Sequence, residues 1–172
     1  MYSACNNQDL PIIYILFYPA QPPVFELLEI LQQIFYSGKK KQHTLKYEIG
    51  ISIHTGLIVW LGGGVSGAVH DLTIAKDGLL QTYSNKIFIG DKGYIGHEQI
   101  LTPFKFPKTE IEQLWNSIFS KLRVSIEHVY GRIKIFECLN VPWRHNILYH
   151  PIVFHVITNL VNFDLIFYPT KK

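Results

Sequence analysis

Asp91 and Glu127 are the two carboxylates of this sequence whose settings suit chemistry. Asp91 closes a short apolar run, Lys86 to Gly90, and Gly93 follows it. An acid at the end of a strand stands where open sheets usually bind ligands. Glu127 falls inside a long stretch of helical periodicity. If that helix packs beside that strand, both carboxylates reach one place. Two carboxylates at one place repel and favour a cation, and hard oxygen donors suit Mg2+ or Mn2+. Two such ions, about 3.5–4 Å apart, can activate an attacking oxygen and steady the leaving one in phosphodiester cleavage. A plainer account stays open at this point. Arg123 lies four residues before Glu127, and a helix-surface ion pair would explain both.

The elements that must position these acids can be read from periodicity. Leu45, Tyr47, Ile49, Ile51 and Ile53 alternate with polar or small residues, which predicts a half-buried strand. His54–Gly56 is a turn and Leu57–Leu61 a second strand, so the two form a hairpin. Gly62–Gly67 is expected to be a loop. Asp71 is placed to cap a helix ending near Gly78. Lys86–Gly90 is a short buried strand that delivers Asp91. Thr109 is expected to cap a long helix. Its apolar stripe is Ile111, Leu114, Trp115, Ile118, Leu122, Ile126, Val129, Ile133 and Phe136. A last helix starts near Pro151 and carries Val153, Val156, Ile157, Leu160 and Val161. Residues 1–35 differ in character: an apolar run, Ile12–Phe17, that predicts a buried strand, then a proline-rich break and a leucine-rich stretch. Strands followed by flanking helices give the α/β (α+β) class.

The chain has 172 residues, 48% hydrophobic and 17% charged, which suits one folded domain rather than disorder. The net charge of +3 permits a nucleic-acid partner without requiring one. Lys39, Lys40, Lys41 and Lys46 form one basic group; Arg123, Arg132, Lys134 and Arg144 form another. Either could be a solvated face. Cys5 and Cys138 have no spacing for a zinc site or disulfide framework, and a reducing intracellular compartment is expected. The N-terminal apolar run is far short of the roughly 18 residues of a membrane span, so no membrane is expected. His145, His150 and His155 are spaced as core or surface histidines rather than ligands. Gly62–Gly64 is not a phosphate loop, because no Gly-Lys-Ser/Thr follows.

Six segments, in order, carry a family resemblance. They are YSGKKKQHTLK (36–46), GAVHD (67–71), GDKGY (90–94), LTPFK (101–105), RVSIEHVYGRIK (123–134) and NLVN (159–162). Together the set resembles the DDE superfamily endonucleases of Harbinger-like elements, over residues 36–165. The resemblance implies a ribonuclease H-like mixed sheet with flanking helices, a divalent metal (Mg2+ or Mn2+), and DNA strand cleavage with joining. It makes Asp91 the second metal-binding acid and Glu127 the third. Asp71 matches a recurring position near the site and joins them as a catalytic candidate. Arg123 would steady Glu127 or meet a phosphate. Gly131 would allow close packing one turn after Glu127. Lys39, Lys40, Lys41, Arg123 and Lys134 would contact DNA.

The sequence departs from the family at the first acid, which the family carries on a strand upstream of the YSGKKK segment in a D-x-T-E-like motif. Here Ile15 to Pro19 hold no acid, Asp9 lies too early, and Glu26 and Glu29 too late. The family's N-terminal DNA-binding helices have no match either. The expected organisation is an atypical segment, 1–35, before an endonuclease-like domain, 36–168, from a fragment or decayed copy. A separate DNA-binding protein would then supply recognition, in the nucleus if the host is eukaryotic. The alternative is a catalytically inactive relic or DNA- or protein-binding adaptor. The discriminating feature is a third carboxylate within reach of Asp91 and Glu127, or an apolar strand in its place.

Overall fold

A computed structural model describes residues 11–19, 36–37 and 41–169. Its centre is strand β3, Gln42–Ser52, flanked on one edge by β1, Pro11–Pro19, and on the other by β4, Ile58–Ser66. Both pairings are antiparallel, with Pro11 opposite Ser52, Pro19 opposite Thr44, and Ile49 opposite Leu61. The two-residue β2, Tyr36–Ser37, pairs with the Gln42–His43 end of β3. Beyond β1 lies β5, Phe88–Gly90, parallel to it, and then β6, Ile100–Leu101, parallel to β5. The α+β class expected from the sequence is the class observed.

The hairpin forms where the alternation places it, but β3 is not half-buried. Every residue from Thr44 to Ser52 is buried. Leu45, Tyr47, Ile49 and Ile51 share one core with the two long helices. The intervening residues face a second core built from α1, Asp71–Asp77, and α2, Leu79–Thr82. Helices on both faces leave neither side of the strand to water.

The expected Gly62–Gly67 loop is largely strand, since β4 runs on to Ser66. Its register against β3 shifts between Lys46 and Tyr47. Gly63 sits at that bulge with φ +104°, and a Cβ there would lie 2.6 Å from the Lys46 carbonyl oxygen. Only a residue without a side chain lets the strand continue there.

Asp71 is not the cap of its helix. His70 is the N-cap, its Nδ1 accepting from Leu72 N–H, and Asp71 is the first helical residue; Gly78 ends the helix as expected. The strand expected over Lys86–Gly90 shortens to Phe88–Gly90. The Gln99 side-chain amide instead donates to the Ser84 and Lys86 carbonyls, satisfying backbone that a longer strand would have paired.

The long helix is α3, Glu110–Lys134, started by a full capping box between Thr109 and Glu112. Its apolar stripe splits into two halves. Ile126, Val129 and Ile133 enter the core, whereas Ile111, Leu114 and Ile118 in its N-terminal half are exposed. The last helix, α4, is Tyr149–Phe167, with Pro151 in its first turn as expected. Phe154, Ile157, Val161 and Leu165 meet the sheet, and the Phe154 ring stacks on Tyr47 with centroids 4.0 Å apart. The Asn162 amide holds both backbone groups of Ile58, each at 2.8 Å, locking α4 to the start of β4. Val156 and Leu160, expected in the core, are more than half exposed. α4 has a mean hydropathy of 1.3 over its apolar window and the length to cross a membrane; here one face is occupied by the sheet.

Candidate active site

Asp91 stands at the C-terminal end of β5, as the sequence requires. Its Oδ1 accepts from Lys92 N–H at 2.7 Å, capping a single 3₁₀ turn, Lys92–Tyr94. Parallel pairing brings β1 alongside, with Ile13 opposite Gly90. The strand beside Asp91 reads PIIYILFYP and holds no carboxylate.

Asp71 reaches the same turn from the other side. A Cβ on Gly93 would lie 2.8 Å from Asp71 Oδ2, so Gly93 is the space into which that carboxylate fits. Asp71 is already neutralised: Lys46 Nζ donates to its Oδ1 at 2.8 Å and also to the Val69 carbonyl. The Lys46 side chain is only 7% exposed, so this pair is shielded from the water that weakens surface ion pairs.

Tyr94 ties the region together. Its ring is buried, and its hydroxyl is held protonated well above the ordinary tyrosine range. Burial is the main cause, followed by the nearby Glu48, Tyr130, Asp71 and Asp91. Tyr130 belongs to α3, lies three residues after Glu127 and is buried in the core that α3 shares with the sheet.

Glu127 itself points into solvent. Arg123 Nε donates to its Oε1 at 3.2 Å, and both side chains are more than half exposed. The helix-surface ion pair left open by the sequence is present. Gly131 does not mediate close packing, since a Cβ there would meet nothing within 4 Å. That part of the helix faces open space.

Glu48, on β3, is the acid that sequence reasoning missed. It is wholly buried, and burial pushes its carboxyl up from an ordinary 4.5 to about 7. The Trp60 indole N–H, 2.9 Å from Oε2, opposes the shift, as does the nearby Tyr94 hydroxyl, while Asp71 adds to it. Tyr94 lies close enough to favour the carboxylate but not in a well-formed hydrogen bond: among the described residues, neither Glu48 Oε1 nor Tyr94 Oη has a partner.

A divalent metal can be tested against this donor set. Among the described residues, no group of three or more His, Cys, Asp or Glu side chains is arranged to hold a metal ion. Asp71 is paired with Lys46 and Glu127 with Arg123, and Asp91 Oδ1 accepts from Lys92 N–H. The described residues do not make up a preformed two-metal site.

The other candidates are scattered. Lys41 is exposed, with a left-handed φ of 53°, while Lys39 and Lys40 lie outside the described residues. Lys134 is exposed at the end of α3, and Arg123 is the partner of Glu127. Arg132 pairs with Asp164 at 2.6 Å. His145 and His155 are exposed, whereas His150 is a core residue, its Nδ1 2.7 Å from the Tyr47 hydroxyl.

Comparison with known proteins bears on the family of the chain. A family model described as DDE superfamily endonuclease matches residues 21–162. A probable transposase for an insertion sequence element of Microchaete diplosiphon is 32% identical over 142 residues. That match takes in 78% of this chain and 51% of the transposase, so the chain spans about half the length of this curated relative. No solved structure matches significantly.

Proposed function

The chain belongs to the DDE superfamily endonuclease family, and from that premise we propose that it is a transposase-type domain acting on DNA phosphodiesters. The observation that carries this reading is the turn after β5, where Asp91 caps one 3₁₀ turn and the Asp71 carboxylate fills the space left by Gly93. A hairpin, a helix and a strand parallel to β1 follow one another, which supports a ribonuclease H-like reading of the sheet. Asp91 and Glu127 are the side chains we assign to a divalent cation, Mg2+ or Mn2+, with Asp71 beside them. The metal would supply charge neutralisation at the scissile phosphate. Arg123 would then pass from Glu127 to a phosphate oxygen. Lys39, Lys40, Lys41 and Lys134 would hold the DNA backbone without reading its sequence. A separate DNA-binding protein, in the nucleus of a eukaryotic host, would supply target recognition.

A second reading is favoured by the acid-free β1. Its apolar sequence stands beside Asp91, and two-metal chemistry needs enough carboxylate to hold two ions at fixed spacing. On this reading the domain keeps the fold, and DNA contact, without efficient cleavage. We therefore expect the 172-residue chain alone to nick supercoiled DNA little or not at all in Mn2+. The assay runs the parent beside Asp91→Ala and Glu127→Ala. Robust nicking by the parent that disappears in both variants would overturn the second reading and establish the first.

A further inference from the structure

α4 carries two apolar stripes, and the sheet uses only one. Phe154, Ile157, Val161 and Leu165 are buried against the core. Away from them, Tyr149, Ile152, Val156, Leu160, Phe163 and Phe167 are each more than half exposed. Their steps of three and four residues keep them within one narrow wedge of the helix. Surface helices normally turn charged or polar residues to that side. Here the only Asp, Glu, Lys or Arg on the helix is Asp164, which is engaged with Arg132 of α3.

Size and symmetry both bear on what covers this face. Six large side chains at these exposures present on the order of 700 Å², above the roughly 300–600 Å² of the largest apolar patch on a typical monomer. One partner's share of a standard interface is about 800 Å². The stripe is also its own complement when reversed. An antiparallel copy whose axis passes between Val156 and Leu160 sets Tyr149 against Phe167, Ile152 against Phe163, and Val156 against Leu160. Ring thus meets ring at the two ends, Phe163 meets the shorter Ile152, aliphatic meets aliphatic at the centre, and no ionised side chain faces its like.

We propose that this stripe is the contact face of a homodimer in which the α4 helices of two copies pack antiparallel across a twofold axis. Such an interface is isologous, with the same patch used on both subunits. The face lies on the far side of α4 from the sheet and takes none of the residues assigned to the acidic site. Dimerisation is therefore separable from any activity on DNA.

Analytical ultracentrifugation of the full chain, followed up to its solubility limit, should show the mass of a dimer. Leu160→Asp should halve that mass while leaving the far-ultraviolet circular dichroism unchanged, because the side chain is already solvent-facing. Orientation is read by cross-linking in a Cys5→Ser, Cys138→Ser background. Chains carrying Ile152→Cys mixed with chains carrying Phe163→Cys should join through a short bismaleimide. Ile152→Cys alone should not, since antiparallel packing holds two copies of that position roughly 18 Å apart along the helix axis. A parent that stays monomeric, a Leu160→Asp variant that stays dimeric, or Ile152→Cys joining to itself as readily as to its mate would each overturn the proposal. So would a monomer that floats with phosphatidylcholine vesicles, which would assign the stripe to a lipid surface.

Discussion

Glu48→Gln is the substitution that most directly tests the buried side of the candidate site. Glu48 lies in the middle of β3, wholly buried, with Trp60 Nε1 on one carboxylate oxygen and, among the described residues, no partner on the other. Burial raises its carboxyl from an ordinary 4.5 to about 7, so the folded chain binds this proton more tightly than the unfolded chain does. The contribution to stability is therefore full below about pH 4.5 and is lost as the pH rises through about 7. A gap of that size corresponds to about 3 kcal/mol once the group is ionised. Glutamine keeps an oxygen for the Trp60 N–H and never ionises. Glu48→Gln should thus leave stability nearly unchanged at pH 5 and raise it at pH 8, by an amount on the order of 3 kcal/mol. Urea unfolding of parent and variant at both pH values measures this, and groups titrating elsewhere cancel in the difference. Equal stabilities at pH 8, or one common deficit at both pH values, would refute the reasoning.

Three further outcomes are expected. His150 is pushed down to about 4 by burial, with a backbone hydrogen bond acting the other way. Its contribution is thus present above about pH 6.5 and lost as the pH falls through about 4. His150→Leu should flatten the parent's acid-side loss in the same urea series. Tyr47→Phe, which removes the hydroxyl 2.7 Å from His150 Nδ1, should cost about 1–2 kcal/mol at pH 7. Changing Lys39, Lys40 and Lys41 together to Ala should weaken binding to duplex DNA and reduce the slope of log K against log salt by roughly one for each lost phosphate contact. An unchanged slope would make them a solvated face.

The legible parts of the fold were those fixed by local chemistry. Thr109 announces a helix start, Gly78 a helix end, and the alternation from Leu45 to Ile53 a strand; all three are present. The errors came where tertiary packing overrode a local pattern. Lys46 and Glu48 occupy the polar phase of the alternation and read as solvent-facing, yet they are buried because α1 and α2 cover that face. One signal was available. Ile74, Ala75, Leu79 and Leu80 need an apolar floor, and a second sheet face is the place to find one. The stripe of α3 ran in one phase from Ile111 to Phe136, but periodicity shows which side of a helix is apolar, not how far a core extends beneath it.

The acids show the same division between type and placement. Asp91 is where its sequence puts it, because a strand end is a local event. Glu127 lies on the expected helix, yet its carboxylate faces Arg123 and water, since helical spacing alone brings that pair together. Asp71 had been read as a cap. Its carboxylate instead fills the space left by Gly93 and binds the buried ammonium of Lys46, a contact set by a strand residue far away in sequence. Two of the three assigned acids are thus already paired with cations of the same chain. A metal recruited there must displace Lys46 from Asp71 or Arg123 from Glu127. The exposed Arg123 pair is the weaker of the two barriers, because water already screens it, whereas Lys46 would be left as a buried ammonium without its carboxylate. Cation entry should therefore proceed from the Glu127 side. Arg123→Ala should tighten Mn2+ binding measured by calorimetry, while Lys46→Ala should chiefly destabilise the fold. Tighter Mn2+ binding in a folded Lys46→Ala chain, with none in Arg123→Ala, would reverse that order.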